Sequence, residues 1–188
     1  AIHQRRGAHV IYVTTQGFED VPFSQRSNRK FHYDLEWKSP VPLVNRRDSF
    51  GIDGRLSYQG DEVQKMSLGS QQRLAELISE SISDNADREH CIAVNLLFSY
   101  VNDEHEKEIA RFLKSEFPQI SLSISSQVAP IWREYDRAST TLADAYIRPL
   151  MTKFVSSLES GLQHYGYRRP WSVMKSNGGQ MQSSAAGE

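Results

Sequence analysis

The stretch Arg133–Pro149, "REYDRASTTLADAYIRP", puts three arginines, a glutamate, two aspartates and paired threonines where a core helix would turn apolar. Arg133, Arg137 and Thr141 recur at four-residue spacing and share one helical face, which the sequence predicts to turn away from the main core. Glu134 and Arg137 are three apart and can pair on a helix surface. Two readings follow. The row is a salt-bridged, solvated helix face, or it is an anion site in which Arg133 and Arg137 donate, Glu134 orients one of them and Thr140 adds a hydroxyl. A second candidate is Ser176, Asn177, Gly178 and Gly179, whose paired glycines suit either a tight turn or a loop of backbone N–H groups aimed at an anion.

Other chemistry is missing from the sequence. It has no phosphate loop of the GxxxxGK type, no GxGxxG, no CxxC, no HExxH and no GxSxG. The six histidines have no ligand spacing, so no metal site is expected, and His105 reads as a surface or capping residue. Catalytic residues cannot be assigned from such patterns. The single cysteine, Cys91, lies in an apolar run and reads as a small buried hydrophobe in a reducing, cytoplasmic setting. A net charge of −1 with 24% charged residues favours neither nucleic acid nor an anionic membrane as partner. No apolar run reaches membrane-spanning length.

The elements that must position these residues are mostly clear. "HVIYVTT" (9–15) and "CIAVNLLF" (91–98) read as buried strands, the second too apolar for a sheet with one wet face. "ISLSIS" (120–125) and "WSVMKS" (171–176) are further strands. "FGIDGRLSY" and "EVQKM" predict a hairpin around Gly60. Leu74, Leu77, Ile78 and Ile82 mark a helix capped by Ser67 or Ser70, and Asn102 caps another with Ile109, Phe112 and Leu113 on its stripe. Leu142, Tyr146, Leu150, Phe154, Leu158 and Leu162 form one helix ridge, continuous through Pro149 with a kink there. The class is α/β with mostly parallel β/α layers, divided into a strand-rich N-terminal unit (1–63) and a layered region with the long helix (64–188).

Several ordered segments resemble the hydantoinase/oxoprolinase family, in particular its ATP-dependent A-type subunit. They are "GAHVIYVTTQGFED" at Gly7, Ala8, Thr14, Thr15, Gly17, Phe18 and Asp20, then Arg26 and Arg29, Tyr33-Asp34-Leu35 and Pro42-Leu43-Val44. "LLFSYVNDEHE", "EYDRASTTLADAYIRP" and "MKSNGGQM" continue the series, with Gly54 and Asp144 departing from the family's usual glutamate and asparagine. The resemblance implies an actin-like ATPase-type fold that spends ATP with Mg2+ to open a cyclic amide of the hydantoin, N-methylhydantoin or 5-oxoproline type, in company with a B-type subunit. Related ketone carboxylases share that architecture, and a non-catalytic interaction module is the contrasting class. The family's phosphate loops are not in this sequence, which reads as an internal fragment expected to bind no ATP by itself.

Overall fold

The computed structural model describes residues 2–26, 33–175 and 178–183. Strand β1 (His9–Thr15) is buried along its whole length. A single turn, α1 (Val21–Ser24), follows, and a 3-10 turn (Arg46–Asp48) leads into β2 (Ser49–Ile52). β3 (Arg55–Leu56) and β4 (Glu62–Gln64) form the expected hairpin, with Gly60 at φ +91° in its turn. Then come α2 (Leu68–Ser83), β5 (His90–Asn95), α3 (Glu104–Glu116), β6 (Ser121–Ile124), α4 (Ser125–Val128) and α5 (Glu134–His164). β7 (Ser172–Met174) and β8 (Gln180–Gln182) close the described chain.

The main sheet has the order β2-β1-β5-β6, and all of its pairings are parallel. Alternation along β1 and β5 sorts its two faces. Val10, Tyr12, Cys91 and Ala93 pack with Ala138, Leu142, Ala145 and Tyr146 of α5. Ile11, Val13, Ile92 and Val94 pack with Leu74 and Ile78 of α2 and with Ile109 and Leu113 of α3. Both faces are covered, which is why these strands lack polar alternation. The protein is α/β, as expected.

The main sheet draws strands from both sides of residue 63. β1 precedes it and β5 follows it, yet the two are interior neighbours in register from His9↔His90 to Thr14↔Asn95. Hydrophobic strands pair with whatever buries both faces, and here the partner lies across the proposed boundary. "FGIDGRLSY" is also split, because its first part joins the main sheet as β2 and only Arg55–Leu56 enters the hairpin. "WSVMKS" supplies a strand, but β7 pairs antiparallel with β8 outside the main sheet.

Local capping follows the sequence at α2, while at α3 the N-cap is Asp103 rather than the expected Asn102. Ser67 is the N-cap of α2 and accepts from the Ser70 amide at 3.2 Å, while its hydroxyl donates to Asp53 at 2.6 Å. Asn102 accepts from the Glu104 amide at 3.0 Å as α3 begins. Helix α5 is continuous over 31 residues, Pro149 included, a length of about 46 Å. Its ridge is not uniform. Leu142 and Tyr146 are buried, whereas Leu150, Phe154 and Leu158 are 39%, 60% and 39% exposed.

Candidate functional site

The chain passes from β1 to β2 on one side and reaches β5 on the other, so connections diverge at the carboxyl ends of β1 and β5. In open α/β sheets, such a divergence makes the crevice where ligands bind. The segments leaving β5 and β6 here, Leu96–Val101 and Ser125–Arg133, are held by a buried polar cluster.

Glu106 is its acidic centre and is fully buried. It accepts from the Leu96 amide at 2.8 Å, the Ser125 hydroxyl at 2.6 Å and the Ser126 amide at 2.9 Å. Three donors replace the hydrogen bonds to water that a buried carboxyl group loses. Arg137, also with no exposed surface, is the basic centre. Its Nε donates to Ser125 Oγ at 3.2 Å, Nη1 to the Ile131 carbonyl at 3.1 Å and Nη2 to the Leu96 carbonyl at 2.9 Å, with Glu134 as a further partner of Nη2. Its guanidinium also lies 5.2 Å from the Tyr100 ring centre. Ser99 and Ser125 hydroxyls meet at 3.0 Å, and Thr15 Oγ1 accepts from the Leu97 amide at 3.0 Å.

The expected orientation of the Arg133–Arg137–Thr141 face is therefore corrected. Arg137 and Thr141 point inward and are completely buried. The small residues Ala138 and Ala145 bring α5 close to the sheet, and Arg137 reaches over the end of β5 to a carbonyl 41 residues away in sequence. Its donors are spent on the protein itself, so it acts as a clamp on both segments rather than as an open anion receptor.

Glu134 sits beside Arg137 with its side chain 22% exposed. Burial pushes its carboxyl above the ordinary range, while Arg137 and the Phe98 amide pull the other way. Arg133 is exposed, stacks 4.8 Å over the Trp132 ring and holds φ +81°. Phe98, on the facing segment, holds φ +60°. Two strained non-glycine residues on one rim are kept by their surroundings. Thr140 is exposed and donates back to the Asp136 carbonyl at 2.9 Å, so it does not join Arg137. Gly178 and Gly179 belong to the β7–β8 turn, where the Gly178 amide donates to Lys175 at 2.9 Å and Lys175 donates to Gly179 at 2.7 Å. That hairpin follows the far end of α5, with Trp171 and Ser183 bordering a cleft against Glu159 and Leu162. Ser176, Asn177 and Arg29 lie outside the described residues. The paired-glycine loop and the Arg137 cluster thus do not form one site.

Several residues of this region escape motif reading. Glu106, Ile109 and Leu113 follow i, i+3, i+7 spacing, so Glu106 lies on the buried stripe of α3, which was the available signal. Tyr12 and Asn95 lie beneath α5, with Asn95 Nδ2 donating to Tyr12 Oη at 3.0 Å. Burial raises the Tyr12 phenol to about 12. Asn95 Oδ1 is buried with no hydrogen-bond partner among the described residues. His105 is buried too, bonded to Glu62 at 3.0 Å, which corrects its reading as a surface residue. A neighbouring carboxylate and the lip of the hairpin cover it. Burial raises the Cys91 thiol to about 12, an inert group.

Phosphates do not fit the starts of the three longer helices, α2, α3 and α5. α5 begins with Glu134 and Asp136, α3 has Glu104 and Glu106 in its first turn, and Asp53 already occupies the start of α2. Each carboxylate opposes an anionic ligand at that position. Among the described residues there is no group of three or more histidine, cysteine, aspartate or glutamate side chains that could hold a metal. No helix among them is long and apolar enough to cross a membrane.

Comparison with known proteins gives the context. Residues 1–117 match the family model of the hydantoinase/oxoprolinase N-terminal region, and residues 137–188 match that of hydantoinase/oxoprolinase. An uncharacterised protein of Methanocaldococcus jannaschii is 31% identical over 170 residues, covering 90% of this chain and 24% of that protein. The caprolactamase subunit alpha of Pseudomonas jessenii is 24% identical over 181 residues, covering 95% of this chain and 25% of that subunit. The crystal structure of ATP-dependent caprolactamase from the same organism superposes with a TM-score of 0.82 at 23% identity, over 96% of this chain and 26% of that one. A nucleotide-free acetone carboxylase structure gives 0.81 at 23% identity, over 98% and 27%. The two structural likenesses speak for the fold. The chain spans about a quarter of the length of these relatives.

Proposed function

Because the chain belongs to the hydantoinase/oxoprolinase family, we propose that it forms part of an ATP-dependent enzyme that opens a cyclic amide. The observation that carries this reading is the family match over both regions of the chain. The Glu106–Ser125–Arg137 clamp supports a site at the carboxyl edge of the sheet, since it shapes both segments there. Carboxylates at the starts of α2, α3 and α5 argue against those three as the seat of ATP and Mg2+. What this chain supplies is a rigid rim. Arg133 and Trp132 are exposed on it, and Glu134 is its partly buried carboxyl. A planar cation stacked on an indole suits the polar edge of a lactam or imide. The similarity to a subunit alpha supports a partner subunit, for which a B-type subunit is the candidate.

A second reading, ATP-dependent ketone carboxylation, is favoured by the acetone carboxylase likeness, which matches the caprolactamase one in extent. The experiment that separates them uses the full-length protein with its partner. ATP-dependent turnover is measured on 5-oxoproline, hydantoin and caprolactam, and on acetone and acetophenone with bicarbonate. Ring opening supports the first reading and carboxylation the second. No turnover on any of them leaves the interaction module. Arg133→Ala is expected to lower kcat/KM on the active substrate with little change in thermal midpoint. An unchanged kcat/KM removes Arg133 from the site.

A further inference from the structure

At the opposite, amino edge of the sheet, a second buried polar line crosses several elements. His9 opens β1, His90 opens β5, and the two are register partners. Their Nδ1 atoms lie 3.2 Å apart, with the rings edge to face at 86°. His9 Nε2 is 3.0 Å from Asp48 Oδ2, and Asp48 Oδ1 accepts from the Ser81 hydroxyl at 2.8 Å. Asn45 Nδ2 donates to Asp48 Oδ2 at 3.0 Å. The line thus runs from α2 through the 3-10 turn and β1 to β5. His9 and Asp48 are each 2% exposed, and His90 is half-buried.

Proton counting limits this line. Asp48 only accepts when ionised, so His9 Nε2 carries a hydrogen. The two Nδ1 atoms can then share a single hydrogen. If that hydrogen is on His9, the ring is an imidazolium paired with Asp48. If it is on His90, both rings are neutral. N–H faces N–H at 3.2 Å, with both rings cationic, once the first arrangement gains one further proton or the second gains two.

We infer that the His9–His90 pair is an acid-sensitive clasp that closes the amino edge of β1 and β5 with one hydrogen shared between the two Nδ1 atoms and releases it when both Nδ1 atoms carry one. Only His90 has a route outward, so it is the ring that leaves. The backbone bond beside it, from the His9 amide to the Glu89 carbonyl at 2.7 Å, loses its support.

The surrounding charges set where this happens. Burial, His9 and Arg88 all push the His90 imidazole below its ordinary value, and Asp87 pulls it up. Glu89 is engaged by Lys153 of α5 at 2.6 Å. Arg47 stands 3.9 Å from Asp48, and Arg5 lines the small cavity that His9 and Arg88 border. From α2, the group facing the line is the neutral Ser81. A histidine depressed in the fold contributes stability that is complete above its unfolded value. That stability is lost as pH falls through the unfolded value toward the lower folded one.

The test uses the full-length protein with its partner and reads local hydrogen exchange between pH 7.5 and pH 5. Rates are corrected for intrinsic chemistry. Peptides containing His9 and His90 are expected to open roughly tenfold more readily at pH 5, the effect of about one proton-linked unit, while peptides from α3 and β6 stay unchanged. In His90→Asn, an amide replaces the titrating donor, and the acid-induced opening should vanish. Exchange at the imidazole C2 positions of the unaltered protein gives the histidine titrations even if the variant does not fold. Opening that is absent, uniform across the sheet or retained in His90→Asn overturns the clasp. So does a His90 ring that titrates at its ordinary value.

Discussion

The two edges of the sheet solve one problem with different chemistry. At each edge the chain leaves or enters β1, β5 and their neighbours, and buried backbone and side-chain groups need partners. At the carboxyl edge the cation is Arg137, whose planar guanidinium forks to several acceptors. At the amino edge the corresponding groups are His9 and His90, and the charge of His90 depends on pH. The carboxyl edge is therefore built to hold one geometry under all conditions, and the amino edge holds its geometry only above an acid limit. Rigidity lies beside the proposed substrate rim, and sensitivity lies away from it.

The largest expected effect breaks the permanent edge. Arg137→Ala removes the counter-charge from Glu134 near the buried Glu106 and orphans the Leu96 and Ile131 carbonyls. The cost is about 3–5 kcal/mol in urea unfolding, as for other broken buried pairs. A loss no larger than that of a surface substitution would mean the clamp contributes little. Next comes Leu142→Ala, which hollows the α5 face between the edges and should cost about 3 kcal/mol by the same measurement.

Asp48→Asn sharpens the contrast. Burial pushes the Asp48 carboxyl up, but hydrogen bonds from Asn45, His9 and Ser81 outweigh it and hold the carboxyl below its ordinary value. That contribution is present above the unfolded carboxylate value and is lost as pH falls toward the lower folded one. The variant should lose about 2 kcal/mol at neutral pH and flatten the acid limb of a stability–pH profile. Glu134 has the opposite sign. Its raised carboxyl favours the fold at low pH and loses that contribution as pH rises through the folded value. Glu134→Gln should therefore remove a small alkaline-going decline and leave the acid limb intact, which a urea series from pH 4 to 7 would reveal. The smallest effect is at the projecting half of α5. Phe154→Ser, at 60% exposure, should change the unfolding free energy of this region by less than about 0.5 kcal/mol.

Much of this framework is legible in the residues. The four-residue ridge announced α5 as one element, and the apolar runs announced β1 and β5 as covered on both faces. Ser67 announced the start of α2, because capping depends on neighbours within three residues. The candidate site was legible only in part. Arg137 and Glu134 were picked out as a pair, and they are one. Their direction was misread because helical periodicity tells which residues share a face but not what the face meets. Glu106 sat on a readable stripe, yet its partners come from β5 and α4. The ridge residues Leu150, Phe154 and Leu158 look identical in sequence to Leu142 and Tyr146, and no pattern says where the sheet beneath them ends.

By itself the sequence determined the quantities that depend on a few consecutive residues: which stretches are helix or strand, where helices begin, and that Cys91 is an inert core residue. Its ordered segments also determined the family. Only the tertiary structure decided that β1 neighbours β5, that Arg137 points inward, and that His9 meets His90. The reason is the range of the interactions. His9 and His90 are 81 residues apart, and Arg137 and Leu96 are 41 apart. A polar side chain takes its charge state and role from partners that only the folded sheet brings within hydrogen-bond distance.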